Sequence, residues 1–268
     1  MTEQILQDSA KVVALPDLAA RRRQRLAALV EARGAARLEE LSAALGVSQA
    51  TVRRDLNALS ATGRLRRVHG GVVAADARLD EPQFEDKAGT AAAEKERIAA
   101  AAVKLISPTD TIYLDSGSTV LALARLLHGW DRLTVVTNSL PAAMELAGRG
   151  PRIIVVGGEL RATSRAIVGP LTRHLLDEIR VDRAFMGSYA LSLADGLTTT
   201  DPSEAYTKRL VLPRANEVVL LADSSKLGSR SFVAAGQLRD LDVLVTDRRL
   251  DARAARALAR RGVRVITA

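Results

Sequence analysis

Apolar residues follow two different rhythms along this chain. In the first quarter they recur at helical spacing: Leu26, Leu29 and Val30, then Leu38, Leu41 and Leu45, then Val52, Leu56 and Leu59. Each set makes one buried stripe on one helix. The spacing predicts a helix over about Leu18–Arg33, stopped by Gly34, and a short helix from Leu38 that turns at Gly46. A third helix follows Ser48, whose hydroxyl is placed to accept a bond from one of the free amides at its start. Arg64 to Val73 reads as a basic hairpin turned by Gly70–Gly71. Two helices about a tight turn, then a hairpin, is the layout of a winged helix-turn-helix, whose second helix lies in the DNA major groove.

Beyond residue 94 the rhythm changes. An amphipathic helix is predicted from Glu94 to Ile106, closed by Pro108. Short β-branched runs then appear at Thr111–Leu114, Leu133–Val136, Ile153–Val156, Arg183–Met186, Val218–Leu221, Val243–Val245 and Val263–Ile266. Helical stretches fall between most of them, at Thr119–Leu127, Pro141–Ala147, Leu171–Ile179, Ser203–Leu212 and Ala252–Arg260. Continuous apolar strands alternating with helices indicate an α/β domain, a largely parallel sheet covered on both faces. The predicted organisation is a flexible extension over 1–18, a DNA-binding domain over 19–75, a linker over 76–93 with Phe84 as a candidate docking residue, and an α/β domain over 94–268.

Charge sharpens the first half of this picture. Between Arg21 and Arg67 stand eleven arginines against four acids, +7 of the chain's formal +8, and the remainder is near neutral as a set. Affinity for DNA comes largely from neutralising phosphates, so a concentrated basic segment is its footprint. Taken alone, such a run is as compatible with a merely solvated face; joined to the helix pattern, it points to DNA. Candidate contacts are Arg21, Arg22 and Arg23 on the first helix and Ser48, Gln49, Thr51, Arg53 and Arg54 at the start of the third. Arg66, Arg67 and His69 on the wing would reach flanking phosphates or the minor groove.

Composition mainly excludes. There are no cysteines, and the three histidines are scattered without ligand spacing, so neither a metal nor a cofactor is expected. No apolar run reaches membrane-spanning length and residues 1–20 lack the pattern of a secretory leader, so a cytoplasmic protein is expected.

Ligands of parallel sheets bind at the carboxyl ends of the strands, and polar residues collect there. Asp115-Ser116-Gly117-Ser118-Thr119 opens a helix after the first strand, where free amides and the helix dipole favour an anion. Thr137-Asn138 follows the second strand, Gly157-Gly158 with Arg161 the third, and Asp223 with Lys226 the fifth. Singly, these are ordinary caps and turns. Together they suit a phosphorylated sugar or polyol, with Lys226 as a point charge on the phosphate.

Over nearly all of residues 21–250 the chain resembles the DeoR family of bacterial repressors of sugar catabolism. The resemblance rests on Thr51-Val52-Arg53-Arg54-Asp55-Leu56 with Gly63, Arg66 and His69-Gly70-Gly71, and on Phe84-Glu85-Asp86-Lys87, Glu94-Lys95 and the strand-end set. Asp195-Gly196-Leu197-Thr198 and Glu204 to Lys208 fit as well. Ala190 departs from the pattern, standing where the family usually has glycine. The resemblance implies a C-terminal domain similar to ribose-5-phosphate isomerase that senses a phosphorylated sugar. It also implies roles for Glu204 and Lys208 at the hydroxyl or carbonyl end of that ligand. A sugar-phosphate isomerase is the alternative, with Asp115, Glu204 or Asp223 as base and Lys208 polarising the carbonyl; the fused DNA-binding module weighs against it. The same parts would serve an activator. Such modules act in pairs, so a homo-oligomer is expected, a dimer on general grounds and a tetramer on the resemblance.

Overall fold

The computed structural model describes residues 15–33, 35–61, 65–68, 71–74 and 81–268, which form two compact units divided between Ala77 and Arg78. The first unit contains α1 (Leu15–Arg33), β1 (Ala35–Arg37), α2 (Leu38–Leu45), α3 (Gln49–Ala61), β2 (Leu65–Val68) and β3 (Gly71–Ala74). β3 is the middle strand of a small antiparallel sheet, pairing with β2 to make the wing and with β1 on its other edge. The helical stripes meet as predicted: Leu26, Ala27 and Val30 pack with Leu41, with Val52, Leu56 and Leu59, and with Leu65 and Val72 of the hairpin. Burying a Leu or Val side chain contributes about 1.5–3 kcal/mol, so the buried leucines and valines described in this core hold a small unit together.

Two expectations for this half need correction. Helix α1 begins at Leu15, so the extension expected to reach residue 18 is helical over its last residues; residues 1–14 lie outside the described residues. The linker expected over 76–93 is folded from Phe84 onward. Phe84 is buried in the core of the second unit, because an aromatic ring gains more by burial than a tether gains by remaining loose.

The second unit opens with α4 (Phe84–Gly89) and α5 (Ala92–Ala102), then β4 (Thr111–Leu114), α6 (Ser118–Arg125), β5 (Thr134–Thr137), α7 (Leu140–Leu146) and β6 (Arg152–Val155). A hairpin of β7 (Glu159–Arg161) and β8 (Ala166–Val168) follows, then α8 (Arg173–Glu178), β9 (Val181–Met186), β10 (Ala190–Ser192) and β11 (Gly196–Thr199). The unit ends with α9 (Pro202–Val211), β12 (Ala215–Leu221), β13 (Val233–Gly236), β14 (Val243–Thr246), α10 (Ala252–Ala259) and β15 (Arg264–Thr267).

Seven strands form one parallel sheet in the order β15-β14-β12-β9-β4-β5-β6. All seven predicted strands are in it. Strand residues alternate between two cores. Ile112, Leu114, Phe185, Val219 and Leu221 face one; Tyr113, Ala184, Met186, Val218 and Leu220 face the other. Burial on both faces is why these strands read as unbroken apolar runs. The β7–β8 hairpin and the antiparallel sheet β10-β11-β13 are additions that the apolar pattern did not announce. No helix of the described residues is long and apolar enough to cross a membrane.

The order of the strands opens a candidate place for a ligand. From β4 the sheet grows outward through β5 to β6, and then the chain returns to place β9 on the other side of β4. At such a reversal the two connections leave in opposite directions and open a crevice at the carboxyl ends.

Candidate effector site and DNA-binding surface

At the reversal, Asp115 leaves the end of β4 and Gly187 the end of β9. The Asp115 carboxylate accepts the Gly187 amide at 3.0 Å and an ion pair from Lys208 on α9, whose ammonium also donates to the Gly187 carbonyl at 2.9 Å. Both charged side chains are almost wholly buried, 1 % and 6 % exposed. Gly187 is required here by space: a β-carbon would lie 2.6 Å from the Ser116 carbonyl oxygen. Ala190, the departure from the family pattern, is buried as the first residue of β10.

A second cluster is built around Arg161 on β7. Its guanidinium meets Glu81 at 2.8 Å, Glu204 at 3.2 Å and Asp201 at 3.3 Å. Glu204 also accepts the Thr199 hydroxyl at 2.9 Å, and Glu81 accepts Lys87 at 2.5 Å and the Thr200 hydroxyl at 2.6 Å. Burial alone would push the Glu81 carboxyl up, but Lys87, Thr200 and Arg161 together hold it below its ordinary value. Glu204 and Lys208 thus have separate partners, rather than forming the i,i+4 pair that their spacing allows.

The third cluster surrounds the start of α6. Gly117, with φ 131° and ψ 153°, takes a conformation open essentially to glycine alone and leads into Ser118 and Thr119. The Ser118 hydroxyl donates to the Lys87 carbonyl at 3.4 Å, and the same carbonyl accepts the ammonium of Lys95 from α5. Lys95 also donates to the Thr90 carbonyl at 2.6 Å. Burial is the main cause that lowers its pKa; the charges of Lys226 and Lys87 lower it further, against Asp223, which raises it. Lys226 lies over the Tyr189 ring, 5.3 Å from its centre.

Other expected site residues are engaged by the protein itself. Thr137 donates to the Leu114 carbonyl at 2.7 Å and accepts the Ser139 amide at 3.0 Å, so its hydroxyl serves the backbone. Asn138 donates to the Ile167 carbonyl at 3.1 Å, while its Oδ1 is buried without a partner among the described residues. Asp223 accepts the Ser225 amide at 3.0 Å. Ser116 is buried, its carbonyl against Gly187; Gly158 lies against Ile167, and Gly157 is exposed.

Lys95, Lys87 and Glu81 had no role assigned from sequence. Lys95 did carry a signal: it occupies the first place of the buried stripe Lys95-Ile98-Ala99-Ala102, where an apolar residue belongs.

In the first unit Ser48 caps α3 as predicted: its oxygen accepts the Thr51 amide at 3.3 Å and lies 3.0 Å from the Thr51 hydroxyl. Ser48, Gln49, Ala50, Arg53, Arg54 and Asn57 are exposed, on the side of α3 opposite Val52, Leu56 and Leu59. Arg22 and Arg23, expected at the DNA, are partly exposed and hold Asp55. Arg22 Nε meets it at 2.5 Å and Arg23 at 3.4 Å, which ties α1 to α3. A buried carboxylate needs such partners, and only α1 supplies them among the described residues. Arg21 is exposed on α1. Arg66 and Arg67 fall on β2, but their side chains, like His69, lie outside the described residues.

Residues 22–78 match the family model of the DeoR-like helix-turn-helix domain, and residues 90–248 that of the DeoR C terminal sensor domain. The chain belongs to the DeoR family. Relatives include the HTH-type transcriptional regulator GlpR of Haloferax volcanii, 36 % identical over 93 % of this chain and 98 % of that one. The lactose phosphotransferase system repressor of Staphylococcus epidermidis is 38 % identical over 82 % of this chain and 88 % of its own. Among solved structures, ribose 5-phosphate isomerase A from Methanocaldococcus jannaschii is 26 % identical over 50 % of this chain and 53 % of that one, with a TM-score of 0.37. This DeoR-family chain is a DNA-binding transcriptional regulator, and its α/β unit is a sensor domain rather than an isomerase.

Proposed function

We propose that the protein is a cytoplasmic repressor of sugar or polyol catabolic genes, controlled by a phosphorylated sugar-type metabolite bound at the carboxyl ends of the parallel strands. The observation that carries this reading is the ammonium of the buried Lys95, which donates to the same Lys87 carbonyl as Ser118 at the start of α6 and feels the charges of Lys226 and Lys87. Lys226 and Lys87 both lower the pKa of Lys95 while Asp223 raises it, and Lys87 is itself paired with Glu81. A phosphate on the Gly117-Ser118-Thr119 amides and hydroxyls would be attracted by Lys95 and Lys226. Asp115 and Lys208, with Asn138, Glu204 and Arg161, would then face the hydroxyl or carbonyl end of the ligand. Relatives named as repressors of a lactose phosphotransferase system and of the aga operon support a sugar-linked role.

A thermal-shift screen against sugar phosphates identifies the effector, since a ligand at a hundredfold excess over its Kd stabilises the sensor by about 2.7 kcal/mol. Calorimetry of Lys226→Ala then tests the phosphate assignment. Loss of a charge-assisted contact worth about 1.5–3 kcal/mol lowers affinity roughly ten- to a hundredfold. Thr119→Val should weaken the effector as well, with operator affinity kept in both. Unchanged effector affinity in both variants moves the site elsewhere, and turnover of the ligand would revive the isomerase.

On the DNA side, Thr51, Arg53 and Arg54 are assigned to the major groove and Arg66, Arg67 and His69 to flanking contacts, in a homodimer or tetramer. Arg53→Ala or Arg54→Ala should cost about 1–3 kcal/mol at a mapped operator if it removes a base contact. Wild-type affinity in both variants at matched salt refutes the assignment, and a monomer that binds operator one-to-one refutes the oligomer.

A further inference from the structure

The sensor unit carries a modest net positive charge that is not spread evenly. Between Arg248 and Arg264 stand seven arginines and one acid, Asp251, a denser concentration than that of the DNA-binding segment. Asp251 is engaged as the cap of α10, accepting the amides of Arg253 and Ala254 at 3.1 and 3.2 Å. Arg249 pairs with Asp247 and Glu94, and Arg264 with Glu217. Arg248, Arg253, Arg256, Arg260 and Arg261 are exposed and have no acidic partner among the described residues. Arg253, Arg256 and Arg260 recur at i, i+3 and i+7, so they form one row on the outer side of α10, while Leu258 points into the core.

We propose that this arginine row is a second DNA-binding surface, one that grips the phosphate backbone without reading bases. The row spans about 10 Å of helix, at 1.5 Å per residue. That length matches about three successive phosphates of one strand, at 3.4 Å of duplex axis each. The character of the face selects this partner over others. Its exposed neighbours are Ala252 and Ala259, so it has no large apolar side chain to insert into a lipid surface. For the same reason it lacks the aromatic or aliphatic anchors on which protein interfaces depend. What remains is a row of permanently charged, bidentate donors, which suits phosphodiesters. The chain already binds DNA through its other unit, so the row adds sequence-independent affinity and a larger share of salt dependence.

The test compares the full-length protein with R253A/R256A/R260A, titrated into a labelled random-sequence duplex across a salt series. Each phosphate contact contributes about 0.9 to the slope of log affinity against log salt, so the variant's slope should be shallower by roughly 2–3. Between 50 and 200 mM salt the wild type should then lose about 40-fold more affinity than the variant. R253K/R256K/R260K keeps the charge and should restore most of the slope. Because the three side chains are exposed and unpaired, the melting of both variants should match wild type. A slope in the alanine variant equal to that of wild type overturns the proposal. So does a variant that loses binding to vesicles of anionic lipid while its DNA slope is unchanged. A shallower slope that lysine does not restore overturns the electrostatic reading.

Discussion

Lys208→Met would leave the Asp115 carboxylate, 1 % exposed, facing the Gly187 amide as its only remaining hydrogen-bond donor from a neighbouring strand or helix among the described residues. Removing one member of a buried pair strands the other charge away from water, at a cost of about 3–5 kcal/mol. The double variant D115N/K208M strands no charge: an asparagine oxygen can still accept the Gly187 amide, and methionine fills much of the space of the lysine stem. Most of the loss should therefore return, giving a coupling energy of about 2 kcal/mol or more in a double-mutant cycle. The chain offers a clean probe. Its single tryptophan, Trp130, packs against a core of the second unit, so its fluorescence in a urea titration follows the sensor rather than the DNA-binding unit. A loss below about 1 kcal/mol in Lys208→Met, or single variants that sum to the double within about 0.5 kcal/mol, would refute the reasoning.

Two further outcomes follow from packing and charge. Gly187→Ala should destabilise the sensor by about 1–3 kcal/mol in the same titration, since its β-carbon would lie 2.6 Å from the backbone oxygen of Ser116, just beyond the end of β4. Wild-type stability would show that the strand ends can part. The folded-state pKa of Glu81 is depressed, so its stabilisation is full above its unfolded value near 4.5 and is lost as pH falls through the folded value. Glu81→Gln should accordingly flatten the loss of sensor stability below pH 4.5, and an unchanged acid profile would exclude Glu81 as a contributor.

The parallel sheet was legible because burial on both faces writes itself into the sequence: Thr111–Leu114 and Val243–Val245 have hardly any polar position to interrupt them. The strands that escaped notice, β7, β8, β10, β11 and β13, are three or four residues long, and their pairing depends on neighbours rather than on any periodicity. The strand-end clusters were visible as residues, but their pairing was not. Asp115 finds Lys208 across 93 positions and Glu81 finds Thr200 across 119, distances over which no local pattern carries information. Charge counted along the chain likewise gave no sign that Arg22 and Arg23 pair with the buried Asp55.

The reversal between β4 and β9 also orders events during synthesis. The helix-turn-helix closes its core among residues 26–72. The sensor crevice needs β9 beside β4, with Ile112 against Arg183, and then Lys208 on Asp115. At about 5–20 residues per second, the ribosome takes on the order of ten seconds to pass from the end of the first unit to Lys208. During that interval the nascent chain can carry a formed DNA reader but not the Asp115–Lys208 pair of the proposed effector site. An effector bound at the proposed site would therefore reward only the last stage of folding, acting on finished sensors and not as a template for unfinished ones.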